Sequence, residues 1–468
     1  MIFSLNSTLN ILFLLMPLSF VLGNAITNGL SALIILLGLI KFNKAIFYFK
    51  KDLISYLLLI FFSLIIISSL ANYSLSEDKF IASIIYTKYL FFTLIVKKLI
   101  EEKIINLKYF LYVAGAVSII ISLSVVIEWI IDFKINDFLL YGDAYQKCSR
   151  EVLSTGIVDL TEACARNNWA VFEARTLKRY NSGLFFSEKI SGGFITRFSV
   201  FVFFLLFYLK DIKSYKLKDY FIFFVILFLC QLSSLVTGNR MSFILFMLMN
   251  FLYFFVLNID KRKLIVFFVS VSIVLSIAVF NKNLHNQYRS FYDNSKFLVT
   301  NLNKFLIKDT TEEEKKIPEY KHRGSSHKYL FKTSVQIWKE NKFLGTGYKS
   351  FRIRCNDYHT KSVYGACSNH PHNYYLELMS EIGIFSIIVL FMIVITIIFR
   401  YIKYTGLKNA KNNSLNFFFY SAFLISFLVE MFPFRSSGSF VTTGDSAYIF
   451  LMIGVLMSNN LIKKLKKQ

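Results

Sequence analysis

The sequence predicts an all-α fold, a polytopic membrane bundle of about twelve transmembrane helices, from three observations. The 468-residue chain is 55% hydrophobic, with a mean hydropathy of +0.52. Apolar runs of roughly 17 to 25 residues recur along it, each long enough to cross the hydrocarbon of a bilayer. The runs are continuous and do not alternate with period two, which argues against a β-barrel. In lipid the backbone must satisfy its own polar groups, so what remains is helices.

Taken in order, the expected spans are 9–27, 28–41, 53–70, 79–96, 109–132, 189–209, 219–236, 240–258, 264–281, 374–399, 415–432 and 446–462. The first two are joined only by the short polar stretch from Asn24 to Asn28. No basic segment precedes the first run, so it is expected as a retained span and not a cleaved signal. The organisation is then N-terminal helices over 1–132, a loop over 133–188, helices six to nine over 189–281, a large loop over 282–373 and the last three helices over 374–468.

The net charge of +24 raises the question of nucleic acid, and its distribution answers it. The cations cluster in alternate connections: Lys41 to Lys51, Lys97 to Lys108, Lys210 to Lys218, Lys261 to Lys263, Arg400 to Lys411, and the tail from Lys463. The short connections between them hold only Lys79, Arg240 and Arg435. This is the positive-inside pattern, which sets both termini in the cytoplasm and the two long loops outside. A nucleic-acid partner is excluded on the same ground. Cys148 and Cys164 lie in the first outer loop and Cys355 and Cys367 in the second, while Cys230 lies within a span. An oxidising outer compartment favours the bridges Cys148–Cys164 and Cys355–Cys367, with four free thiols as the alternative.

Unusual polar residues collect on the predicted outer face. Ser368 to Ser386, SNHPHNYYLELMSEIGIFS, carries His370, His372, Asn373, Glu377 and Glu381 into an apolar run. With Asn373 as cap, Glu377 and Glu381 follow on one helix face. Carboxylates within a span are expected to face the bundle interior. Beside a histidine they would orient the ring and raise its pKa. The turn SLVTGNR ends in Arg240, whose guanidinium fork matches phosphate oxygens. Arg179 stands in KRYNSGLFFSEKISGG, the approach to the sixth span. WKENKFLGTGYKSF follows an amphipathic helix expected over 326–340, with Arg323 and His327 near its start. Its Gly345 and Gly347 form a turn; the remaining glycines of a nucleotide fingerprint are missing. No metal motif is recognisable and no cofactor is expected.

Together these pieces resemble the O-antigen ligase and O-antigen polymerase family, above all its shared C-terminal membrane region. The family pattern H-P-H-N-x-(Y/F)-L-E-L-x-x-E-x-G-x-x-G stands here as HPHNYYLELMSEIGIFS, with Ser386 for the last glycine. The family's N-P-L-x-G-x-G-x-x-x-F stands as ENKFLGTGYKSF, with Lys342 for proline; its T-G-S-R turn stands as Thr237 to Arg240; its S-G-x-F-x-(N/S) stretch begins at Ser182. Four motifs keep the family's order and side. The place of the family's loop arginine holds His327, with Arg323 one turn earlier as a substitute, and the loop 133–188 is longer than the family's.

The resemblance implies a metal-independent glycan transferase in a bacterial inner membrane, with its active site on the periplasmic face. It implies an undecaprenyl-pyrophosphate-linked glycan as donor and the lipid A core as acceptor, as in an O-antigen ligase of lipopolysaccharide biosynthesis. By position, His372 or His370 is the catalytic histidine, with the match leaning to His372. Arg240, Arg179 and Arg323 are expected on the pyrophosphate. Asn373, Glu377 and Glu381 complete the substrate site, the two acids supporting the histidines from inside. The alternatives are an O-antigen polymerase, a protein O-oligosaccharyltransferase and, in another class, a transporter of lipid-linked sugars. A transporter would place charges at the midplane of broken, repeated helices.

Overall fold

The computed structural model describes residues 4–47, 52–75, 77–131, 181–185, 190–209, 216–257, 261–300, 326–358, 367–405, 415–436 and 438–458. Regular structure among them is helical throughout. The principal helices are α1 (Leu5–Leu14), α2 (Met16–Leu22), α3 (Asn24–Phe42), α4 (Leu53–Ala71), α5 (Glu77–Tyr86), α6 (Lys88–Glu101), α7 (Leu107–Ile131), α8 (Ser191–Leu209) and α9 (Leu217–Val236). They continue with α10 (Arg240–Leu257), α11 (Lys261–Phe280), α12 (Lys282–Thr300), α13 (Ser326–Glu340), α14 (Tyr374–Glu381), α15 (Ile384–Thr405), α16 (Leu415–Glu430) and α17 (Thr443–Leu456).

Eight segments among the described residues are long and apolar enough to cross a membrane, with α5 and α6 together forming one. The bent pair α1 and α2, meeting at 49°, makes a ninth, and α10, α16 and α17 are shorter apolar helices. The architecture is the all-α membrane bundle the sequence predicts.

The chain forms two compact units. Unit 1 comprises residues 1–106, 292–412 and 430–468; unit 2 comprises 107–291 and 413–429. In unit 1, α6 packs against α3 and α17, and α4 against α15. In unit 2, α7 packs against α8 and α9, and α9 against α11. Between helices in lipid the solvent is as apolar as leucine, so shape and ring packing must select the contacts. Unit 1 stacks Tyr89 on Phe450 at 5.7 Å and sets Phe62 5.1 Å from Phe450. Unit 2 sets Phe201 5.0 Å from Phe423 and 5.5 Å from Phe110. Such pairs contribute about 0.5–1.5 kcal/mol each beyond the area they bury.

One polar knot joins four segments of unit 1. Asp52, just before α4, is paired with Lys97 of α6, accepts a 2.8 Å hydrogen bond from Ser55 Oγ and lies 4.0 Å from Arg400 of α15. Arg400 also donates to the Met457 carbonyl at the end of α17, at 3.0 Å. Asp52 and Lys97 are each 5% exposed, so removing one strands the other. Asp52→Ala is expected to cost about 3–5 kcal/mol, read as a lower unfolding midpoint in detergent. The apolar double replacement Asp52→Leu, Lys97→Met should recover much of that loss; an unchanged midpoint in Asp52→Ala would contradict the assignment.

The structure corrects the tenth span. The apolar run 374–399 is not one helix: α14 ends at Glu381, and α15 begins at Ile384. Gly383 adopts φ 92°, a left-handed value that favours glycine, and its α-carbon lies against the backbone of Phe343. The Ile384 amide then donates to the Lys342 carbonyl at 3.0 Å. Glu377 and Glu381 therefore belong to a short helix ahead of the span, not to its first turns.

Candidate active site

HPHN is shaped by its own residues. Asn373 caps α14: its Oδ1 accepts from the amides of Tyr375 and Leu376, at 3.0 and 3.1 Å. Its Nδ2 donates to the carbonyls of Pro433 and Arg435, at 2.8 and 2.9 Å. Just before the cap, His372 adopts φ 58°. A left-handed residue there reverses the chain and turns the imidazole toward its neighbours. The rings of His370 and His372 lie 4.2 Å apart, and that of His327, from the first turn of α13, is 4.9 Å from His372. His370 Nε2 is buried without a hydrogen-bond partner among the described residues, a condition that native interiors usually avoid. These three imidazoles do not form a metal-holding group by their arrangement.

The two acids below hold main chain. Glu377 accepts from Ser439 Oγ at 2.5 Å and from the Phe440 amide at 2.6 Å. Glu381 accepts from the amides of Lys349 and Phe351, at 2.8 and 3.1 Å. Both are 1% exposed. Four residues apart on α14, they tie it to two separate segments, 349–351 and 439–440. A third acid, Glu430, pairs with Arg435 and accepts from the Tyr374 hydroxyl at 2.7 Å.

This changes the electrostatic expectation for the histidines. Their pKa values are lowered, not raised, because desolvation by burial dominates. Burial, followed by the neighbouring His370 and His327, brings His372 down to about 4. Burial also lowers His370; Asp445 opposes the shift, and Arg352 and His327 add to it. At neutral pH His372 is thus an uncharged imidazole able to accept a proton.

The segment after α13 is fixed by backbone approach. Gly345 has φ 62°, and a Cβ there would strike the Glu381 carbonyl. The Thr346 amide donates to Ser380 O at 3.1 Å and the Gly347 amide to Glu381 O at 2.8 Å. Ser68, near the end of α4, donates to the carbonyls of Leu344 and Glu381, and Ser69 Oγ accepts from the Tyr348 amide at 3.1 Å. GTG thus forms the turn expected from sequence, and its glycines admit α14. The disulfide Cys355–Cys367 is present and joins this segment to the strand of chain entering HPHN. Cys148 and Cys164 lie outside the described residues. Cys230 is buried as a free thiol in α9.

Unit 2 gathers the other two motifs. Asn181 Nδ2 donates to the Val236 carbonyl at 2.6 Å, and Glu128 Oε2 accepts from the Gly183 amide at 2.6 Å. Gly192 lies against Thr237 and Ser242. Arg240 opens α10 after Gly238, which has φ 72°. Its half-buried guanidinium has no carboxylate within 4.0 Å among the described residues. Arg179 and Arg323 lie outside the described residues. Of the expected site, then, His370, His372, Asn373, Glu377 and Glu381 come together in unit 1, joined by His327.

Sequence reasoning did not single out Lys349, Arg352 or Asp445. Arg352 acts on the charge of both His370 and Lys349, and burial together with Arg352 lowers the Lys349 pKa. Lys79, which also acts on Lys349, carried a signal: it is one of few cations in the connections opposite the basic clusters.

Fold and site define a class: a multi-pass α-helical membrane protein with a half-buried imidazole cluster built on an internally hydrogen-bonded acidic helix. Residues 222–391 match the family model described as O-antigen ligase, a stretch that takes in Arg240, α13, the GTG turn and HPHN. The match supports the O-antigen ligase and polymerase family to which the motifs pointed, and with it a membrane enzyme of the lipid-linked-glycan transferase type. No curated protein sequence matches the chain.

Proposed function

We propose that this protein is an O-antigen ligase, transferring a glycan from undecaprenyl pyrophosphate to a sugar hydroxyl of the lipid A core. The observation that carries the reading is the cluster in which the His372 ring lies 4.2 Å from His370 and 4.9 Å from His327 of α13. In this reading both termini are cytoplasmic, the membrane is a bacterial inner membrane, and the site faces the periplasm.

His372 takes the proton of the acceptor hydroxyl as its oxygen bonds to the anomeric carbon of the donor sugar. The bond from that carbon to the diphosphate breaks, and undecaprenyl diphosphate leaves with the electron pair. Arg240 neutralises the departing charge, with Arg179 and Arg323 as further ligands. Fixed cations aimed at developing charge lower such barriers by several kcal/mol. Asn373, Glu377 and Glu381 act through the framework they hydrogen-bond, leaving the histidines to meet substrate. No cofactor is required by this chemistry.

The test is transfer by purified protein in liposomes, with lipid-linked glycan as donor and lipid A core as acceptor. Formation of the glycosylated core supports ligase action. Product only with a second lipid-linked unit marks a polymerase, product only with a protein acceptor marks a protein transferase, and donor crossing without a new glycosidic bond marks a transporter. The pH profile gives a second check. A base whose pKa is lowered keeps its lone pair until pH falls through that value. The acid limb of the rate is therefore expected near pH 4, well below the value of about 6.5 for an ordinary imidazole. A limb near the ordinary value would count against His372 as the base.

A further inference from the structure

A shallow recess opens in unit 1, lined by residues that include Ser69, Asn72, Lys79, Thr346, Tyr348 and Ser350. Three of its neutral side-chain donors are engaged within the protein. Ser69 Oγ donates to Ile65 O at 2.9 Å, Asn72 Nδ2 to Ser68 O at 2.8 Å, and Thr346 Oγ1 shares a 2.6 Å hydrogen bond with Ser350 Oγ. Its cations are not. Lys79 lies in the wall, Lys349 follows the wall residue Tyr348, and Arg352 follows one turn on. None of the three has a carboxylate within 4.0 Å among the described residues. Glu381 is close to Lys349, but both its oxygens hold backbone amides. The Lys349 backbone is pinned in a left-handed conformation, φ 55°, and its ammonium rides 5.3 Å from the Tyr348 ring centre.

Arg352 and Lys79 both act on Lys349, the buried Glu381 and Glu377 act on it in the opposite sense, and Arg352 acts on His370 as well. Like charges drawn together at a recess raise the energy of the empty site, and an anion of more than one charge relieves it. With the Ser69, Asn72 and Thr346 side chains occupied, recognition there rests on charge.

We infer that Lys79, Lys349 and Arg352 form a diphosphate-binding subsite that holds the headgroup of the lipid-linked donor. The inference rests on the glycan-transfer reading. It places the phosphates next to the imidazoles, on the Arg352 side of His370.

The experiment is a binding titration of full-length protein in zwitterionic nanodiscs, with unglycosylated polyprenyl diphosphate as probe. The double variant Lys349→Gln, Arg352→Gln is expected to weaken binding by about tenfold or more. Its affinity should also respond less to salt than the wild type's. Lys349→Arg keeps the charge and should keep the affinity, which separates lost charge from a misfolded loop; Lys79→Gln supplies an independent single change. A wild type that binds, with variants that bind equally well, overturns the subsite and leaves the transferase reading standing. A wild type that binds no polyprenyl diphosphate overturns both. A second arm replaces the probe with phosphatidylglycerol: if the variants lose only that lipid, the recess is a site for bilayer headgroups and the donor assignment falls.

Discussion

Replacing His372 with asparagine is expected to lower the rate of glycan transfer by about 10²–10⁴-fold, the usual contribution of a positioned base. Asparagine is the informative choice because the position has φ 58°. Asparagine tolerates that left-handed backbone better than most residues, so the chain reversal and the α14 cap survive while the base is gone. His372→Ala loses the base too and adds backbone strain, so it should be no more active than His372→Asn and less stable. The measurement is initial transfer rate in liposomes, with membrane insertion and the unfolding midpoint as controls. Wild-type rates in His372→Asn would remove the residue from the mechanism. His370→Asn should then be examined, since its Nε2 is buried without a hydrogen-bond partner among the described residues.

Arg240→Ala should lower transfer by about 10²–10³-fold, the scale on which a single preorganised stabiliser of developing charge is felt. Arg240 opens α10 with no carboxylate partner among the described residues, so its loss leaves no buried acid stranded. Stability is therefore expected to stay within about 0.5 kcal/mol of the wild type, as for surface changes away from special features. Arg240→Lys keeps the charge and loses the bidentate fork, and should recover only part of the rate. An Arg240→Ala protein with unaltered kinetics would exclude the arginine from the reaction.

Much of the framework was legible in the sequence because its causes are local. Continuous apolar runs give spans, and the amphipathic stretch 326–340 gives α13, Ser326–Glu340. An asparagine before YYLEL gives a cap, and it caps α14. The pairing of Cys355 with Cys367 followed from their shared segment. What escaped depends on contacts far apart in the chain. The run 374–399 is apolar through Ile382 and Gly383, and nothing local announces the break. The break needs the Lys342 carbonyl to receive the Ile384 amide and room for Gly383 against Phe343. The direction of the histidine pKa shift was missed for a related reason. Spacing places acids near His372, but only tertiary structure shows the ring's burial and its closeness to His370 and His327, which set the direction. In the sequence His327 stands at the start of the amphipathic stretch and in an arginine's place, and folding brings it to the cluster.

The framework of α14 has a property that bears on how such a chain can diverge. Almost every group that Asn373, Glu377, Glu381 and Ser68 grip is main chain: the carbonyls of Leu344, Glu381, Pro433 and Arg435, and the amides of Lys349, Phe351 and Phe440. Main-chain atoms are common to nearly all residues, so the grip does not depend on which side chains those positions display. Lys349 shows the division within one residue, its amide held by Glu381 while its ammonium lies over the Tyr348 ring. Loops anchored in this way can exchange their outward side chains without disturbing the imidazoles. Four buried polar side chains thus separate the framework of the cluster from the surface its loops display.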